Sequence, residues 1–327
     1  MQQLSRAETN LIKQIKEETE KHNLDNVSRT DAYFNFFISH PEIGWAFLAS
    51  MVSRNAGWNM CDLEGVAFPK IIKKHFRKKL FLTYERANWL IFHDAFPQLL
   101  LYHYSTKIKQ PMFHLLTYFH ISSFMEREWV YFWKEKNRNR LMNSLIINEQ
   151  NVIQNPVINQ PDYKMKVFYS PFFFIQDWFH FSAVIFPTCT GKLYGASVHG
   201  FKNVTNRIEL GKKLASILFH KELFYEFMEF AYKTVHTGSR FDYEHYFYNR
   251  TKKSTPFLRG TYPIINHRIH KRDDWVKNTS IKRKWTKIMI LKQSPMELTD
   301  WYINKQRQLK KAIYCSQMLE HLFKLSK

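Results

Sequence analysis

Residues Thr83–Tyr104, TYERANWLIFHDAFPQLLLYHY, decide the fold class. The run reads as one long apolar helix, bent at Pro97, because a proline ring removes an amide donor and crowds the preceding turn. The composition says what surrounds such a segment. Hydrophobic residues make up 45% and aromatic residues 17% of the 327-residue chain, which is too apolar for a disordered protein. Only 9 Gly and 11 Pro are available for turns, too few for an all-β fold. The expectation is therefore a mainly α, compact, multi-helix bundle-like fold.

Working outward towards the N-terminus, Ser5-Arg6-Ala7-Glu8 has capping-box spacing, and Leu11, Ile12 and Ile15 follow at helical intervals to about Asn23. Ser28–Asp31 repeats the box ahead of Tyr33, Phe34 and Phe37. Pro41 suits a first helical position, and the helix it opens is expected to stop near Gly57 as a left-handed cap. Ala67–Lys79 is basic, with apolar Ile71, Ile72 and Phe76.

Towards the C-terminus, Pro111 opens a helix through Trp129 and Trp133 to about Lys136, and another fits Arg138–Gln154. Asn155-Pro156 and Gln160-Pro161 break the pattern. One compact unit spanning 1–327 is expected, with a weak subdivision near 155–165. Between Met165 and Phe201, Pro171, Pro187, Gly191, Gly195 and Gly200 cluster. A small β-hairpin over 184–198 fits that composition, and so does an irregular loop. Helix returns over about Asn206–Val235. Ser294-Pro295-Met296-Glu297 forms a last capping box, opening a helix to about Leu325.

The formal net charge is +21, unevenly spread. Residues 66–140 hold 14 Lys and Arg against 5 Asp and Glu, and residues 211–327 hold 24 against 10. A field of this sign favours nucleic acid, anionic lipid or acidic partners. Two stretches concentrate it: one with Lys73, Lys74, Arg77 and Lys78, the other with Lys282, Arg283 and Lys284. On amphipathic helices these cations face outward to neutralise phosphates, with Trp285 available for stacking on a base; a solvated helix face uses the same residues. Cys61, Cys189 and Cys315 are scattered, which argues against a disulfide framework or a Cys-rich zinc site and for a reduced, cytoplasmic protein. The N-terminus lacks a secretory pattern, and no apolar run is long enough to span a bilayer.

Two polar motifs interrupt the apolar background. In 53–59, Arg54, Asn55 and Asn59 offer a donor array for a phosphate or carboxylate; a helix C-cap, with Arg54 on the terminal carbonyls, is the reading their position favours. In 85–98, Glu85 and Asn88 share one helical stripe, and His93 lies on another. Glu85, Asn88, His93, Asp94 and Gln98 must find partners in so apolar a setting, either in an internal network or around a pocket. His93 and Asp94 are not a catalytic pair, since adjacent helical residues diverge. Thr237–Tyr243, with Arg240, has the composition of an anion-binding nest, though a plain loop accounts for it.

Three pairs have one-turn ligand spacing: Asp177 with His180, Asp242 with His245, and His267 with His270. With 15 His in the chain such pairs arise by coincidence, and neither His-Glu-x-x-His nor the Glu-x-x-His of di-iron bundles occurs. The glycine-rich dinucleotide, P-loop and hydrolase-elbow motifs are absent too, so no cofactor is expected.

Arg29–Tyr33, His40–Trp45, Met51–Met60 and Glu85–Gln98 together resemble the YppC-like family of uncharacterised proteins, a domain of unknown function from Bacillus-type Firmicutes. Asn148–Gln150, Arg207–Lys212, Thr237–Arg240 and Pro256–Arg259 extend the resemblance over most of the chain. It implies a bacterial, cytoplasmic protein and carries no activity to transfer. Two functional expectations stand. The first is a polyanion-binding protein, nucleic acid foremost, using 70–79 and 282–287. The second is an enzyme with a polar pocket built from 53–59 and 85–98, with or without a metal. A protein-interaction scaffold is a third.

Overall fold

Ser5 opens the architecture as its spacing requires. Its hydroxyl accepts from the Glu8 amide, and the Glu8 carboxylate accepts from the Ser5 amide, forming the capping box of α1 (Arg6–His22). The computed structural model describes residues 4–160, 183–197, 200–247, 253–268, 272–289, 294–309, 311 and 313. Within them the protein is mainly helical, with one small hairpin.

α2 (Asn26–Ser39) is capped by Asp25, not by the Ser28–Asp31 box. The Asp25 carboxylate accepts from the Ser28 amide at 2.7 Å, gaining both an amide bond and the positive end of the helix dipole. α3 (Gly44–Asp62) runs straight through Gly57, which was expected to end it. Packing explains the glycine: a Cβ there would lie 2.3 Å from Asn26 Oδ1 and 2.7 Å from His236 Nε2. A 3-10 turn, Phe68–Lys70, precedes α4 (Lys74–Ile108), which starts well before Thr83 and carries Pro97 inside it. Burial of Phe96, Leu99 and Leu101 around that proline outweighs the missing amide bond. At ~1.5 Å per residue, α4 is roughly 50 Å long, and α1, α2, α3 and α6 all pack on it.

The helix expected from Pro111 to Lys136 is two elements. A 3-10 segment, Phe113–Phe119, ends at His120 in the left-handed region, φ 56°. Ser122 then caps α5 (Ser123–Glu135) by accepting from the Met125 amide. Asn137 caps α6 (Arg138–Val152), which leads into a π turn at Gln154–Ile158.

β1 (Ala183–Pro187) and β2 (Leu193–Ser197) form the expected antiparallel hairpin, with Ile185 opposite Gly195. The helix expected over Asn206–Val235 is broken into α7 (Val204–Leu218) and α8 (Phe224–Lys233). The break lets Phe219 stack on Phe224, ring centroids 5.6 Å apart, with both packed on Phe47. The last capping box goes unused. Glu297 instead bridges to Tyr194 in β2, and the helix occupies 299–309 and takes in 311 and 313, the rest of its expected run to Leu325 lying outside the described residues.

The core is continuous through these elements, and Trp45, Trp58, Trp129 and Trp285 are among its largest fully buried side chains. Among the described residues no helix is long and apolar enough to cross a membrane.

Candidate functional site

The 53–59 motif is packed structure. Arg54, from mid-α3, donates to the carbonyls of Thr234 and Ala231 at 2.8 and 3.0 Å, so it caps the end of α8 rather than its own helix. Burial lowers its pKa to about 10, against the opposing pull of Asp242 and Asp31. Asn55 is spent on the hairpin, donating to the Ile185 carbonyl at 2.7 Å and accepting from its amide at 2.8 Å. Asn55, Asn59 and Arg240 do line one void, but it measures only about 10 Å³, walled by Trp58, Tyr243 and Tyr302. That is room for a single water. Arg240 forms a bidentate ion pair with Asp62 and donates to the Tyr302 hydroxyl at 2.8 Å.

The 85–98 motif disperses. Glu85 accepts from Arg29 Nη2 at 2.5 Å and lies 3.6 Å from His267. Asp94 sits 3.2 Å from Arg272 and accepts from Asn148 at 2.6 Å and Gln98 at 2.8 Å. Gln98 in turn accepts from the Trp129 indole at 2.9 Å. His93 stacks on Trp89 and borders a separate cleft. Asn88 and Ile91 reach the cavity described below. The two motifs therefore share one cavity only through Ser53, Asn88 and Ile91, while Arg54, Asn55, Glu85, Asp94 and Gln98 turn to other neighbours.

Of the metal spacings, the one wholly within the described residues, Asp242 with His245, does not close. Asp242 accepts from Trp58 and Thr237 and contacts His236, whereas His245 turns to the Phe241 carbonyl one turn back. His267 sits on Glu85; Asp177, His180 and His270 lie outside the described residues. Among the described residues no three of His, Cys, Asp and Glu are grouped to hold a metal ion.

Of the basic residues, Lys73, Lys74 and Lys78 are exposed around the start of α4. Arg77 is withdrawn from any polyanion role: it is buried, paired with both oxygens of Glu64 and bonded to the Ile72 carbonyl. Lys282, Arg283 and Lys284 are exposed beside the short helix Arg283–Thr286. Trp285 cannot stack on a base, because it is fully buried with its indole donating to Thr205 at 3.0 Å.

One cavity has the size and chemistry of a ligand site. It measures about 150 Å³ and is bounded by α2, α3, α4, α6, α7 and β1. Val52, Ile91, Val184 and Leu214 give it apolar walls; Arg29, Tyr33, Asn88, Glu149 and Arg207 give it polar ones. Arg29 Nε and the Tyr33 hydroxyl are both buried without a hydrogen-bond partner. The other Arg29 nitrogens are used on Asn23 and Glu85. Two orphaned donors at one wall cost free energy unless a ligand or water meets them.

Glu149 enters this cavity from α6. Its oxygens accept from the Trp45 indole at 3.2 Å and the Gln150 amide at 2.9 Å. Burial raises its pKa to about 7, and only those neutral donors oppose the shift. Arg207 spends its guanidinium on neutral acceptors: Gln150 Oε1 at 2.9 Å and its carbonyl at 2.9 Å, Gln154 at 2.6 Å and the Phe201 carbonyl at 2.7 Å. Burial draws its pKa to about 10. A carboxyl poised near neutrality, a buried cation and two free donors thus border one cavity. The sequence-based site omitted Glu149, Arg207, Arg29 and Tyr33. Their signal was present in Arg29–Tyr33, Asn148–Gln150 and Arg207–Lys212, but nothing local showed that three distant stretches meet.

Comparison with known proteins agrees with this extent. The family model described as "Protein of unknown function (DUF2515)" matches residues 21–305. The "Uncharacterized protein YppC" of Bacillus subtilis (strain 168) is 48% identical over 311 residues, covering 95% of this chain and 96% of that protein. No solved structure matches.

Proposed function

Since the chain belongs to the DUF2515 family, whose description assigns no activity, its chemistry is argued from its own residues, and we propose that it is an enzyme moving a proton on a small carbonyl compound held in the Glu149 cavity. The carrying observation is the pairing of two unpartnered donors with a carboxyl near its midpoint at one cavity wall. Arg29 Nε and the Tyr33 hydroxyl would hold the carbonyl oxygen and stabilise the charge that grows on it. Glu149 would take a proton from the adjacent carbon and return it, so the net reaction is an isomerisation or exchange needing no cofactor. A volume near 150 Å³ suits a compact ligand of ring size. The free thiols Cys61 and Cys189 fit a reducing cytoplasm.

The test uses cyclohexanone in D2O, followed by NMR. The protein should accelerate deuterium exchange at the ring carbons beside the carbonyl, with a rate rising through about pH 7, and Glu149→Gln should lower that rate about a hundredfold. Exchange no faster than in buffer would count against the reading.

A second reading, contact with a polyanion such as nucleic acid, draws support from the start of α4. No side chain caps its amides, its first turn holds no acid, and Lys73, Lys74 and Lys78 stand exposed there. Positive residues on the positive end of a helix are relieved by a phosphate. Retention on DNA that falls steeply with salt and weakens when all three lysines become Gln would support it; no retention at low salt would end it.

A further inference from the structure

A second cleft, of about 160 Å³, lies where α1 and α4 meet the 3-10 segment Phe113–Phe119. Lys16, His93 and His120 supply its polar wall, and Pro97, Tyr118 and Phe119 its apolar wall. The Nδ1 atom of His93 is buried there without a partner, while the ring stacks on Trp89 with centroids 4.9 Å apart. Burial, then the charges of Arg272, His120, Arg86 and Lys16, hold this imidazole neutral, with a pKa lowered to about 3. An anion beside it would relieve that field and let the free nitrogen donate. His120 closes the wall as the left-handed cap of the 3-10 segment, at φ 56°.

We propose that this cleft binds a small organic carboxylate, its charged end between Lys16 and His93 and its hydrocarbon against Pro97, Tyr118 and Phe119. Glu20, an acid on the rim, sets the class: it tolerates a monoanion better than a phosphate dianion, and the apolar wall gives an organic tail somewhere to go. The site is separate from the Glu149 cavity, sharing none of its lining residues.

The probe is benzoate, titrated into the full chain near pH 7 and read by calorimetry and by NMR of the His93 ring. Saturable binding is expected, with a Kd of about 1 mM or tighter, weakened about tenfold by Lys16→Gln, the loss of one charge contact. Lys16 is exposed, so that variant folds. The His93 ring should stay neutral and show a shifted ring-nitrogen signal as its Nδ1–H donates to bound benzoate. Glu149→Gln should leave the affinity unchanged. No saturable binding, equal affinity in Lys16→Gln, preference for inorganic phosphate over benzoate, or loss on Glu149→Gln alone would each overturn the proposal.

Discussion

Glu149 makes the fold's stability depend on pH in a direction opposite to most surface acids. Its pKa is raised from 4.5 to about 7 by burial, so the native state holds a proton that the unfolded chain releases earlier. The associated stability is fully present below about pH 4.5, drains away as pH rises towards 7, and is gone above it. The loss is up to about 3 kcal/mol. Glu149→Gln should therefore be more stable than the natural protein at about pH 8 and nearly equal to it at about pH 5, in urea unfolding at both pH values. A constant difference between the two proteins would refute the buried-carboxyl account. Gly57 offers a second single-residue test. Its helix needs no glycine for backbone reasons, yet a methyl group would strike Asn26 and His236. Gly57→Ala should cost about 1–3 kcal/mol, reversing the gain that alanine brings to an open helix.

Among the elements, the hairpin depends on a side chain from elsewhere. Asn55 bonds both the amide and the carbonyl of Ile185, taking the place of one residue of a third strand along the free edge of β1. Asn55→Leu keeps the bulk and removes both bonds. Amide hydrogen exchange over β1 should then quicken at least about tenfold, from the loss of roughly 1.5 kcal/mol or more of local protection. Unchanged exchange would mean that strand pairing alone holds the hairpin. What the sequence revealed at this scale follows the range of the forces. Ser5 with Glu8 was legible because both partners sit within one turn. The glycines and β-branched residues of 184–198 marked the hairpin for the same reason. Gly57, Arg54 and the break before Phe224 were misread because their partners are remote: His236, the carbonyls of α8, and Phe47. The cavity was the least legible feature, since it gathers Tyr33, Asn88, Glu149 and Arg207 from four separate helices.

Across the whole molecule, late residues are locked onto early ones. Arg259 pairs with Asp25, Arg240 with Asp62, Trp275 donates to Asn148 in α6, and Trp285 donates to Thr205 in α7. Such crossing contacts should couple the parts into one cooperative melt. Circular dichroism and tryptophan fluorescence should report the same midpoint. Trp285→Ala should shift that shared transition by about 3–5 kcal/mol rather than split it. Two transitions would instead reveal independent units on either side of residue 160.

Glu85 and Asp94 have a further bearing on how the chain is made. Both carboxylates are buried in α4, yet their neighbours, His267 beside Glu85 and Arg272 beside Asp94, are more than 170 positions downstream. A ribosome that has released α4 has not yet synthesised either one. Until it does, Asp94 has no cation and Glu85 only Arg29, so the nascent helix bundle waits, half-neutralised, for the last quarter of its own message.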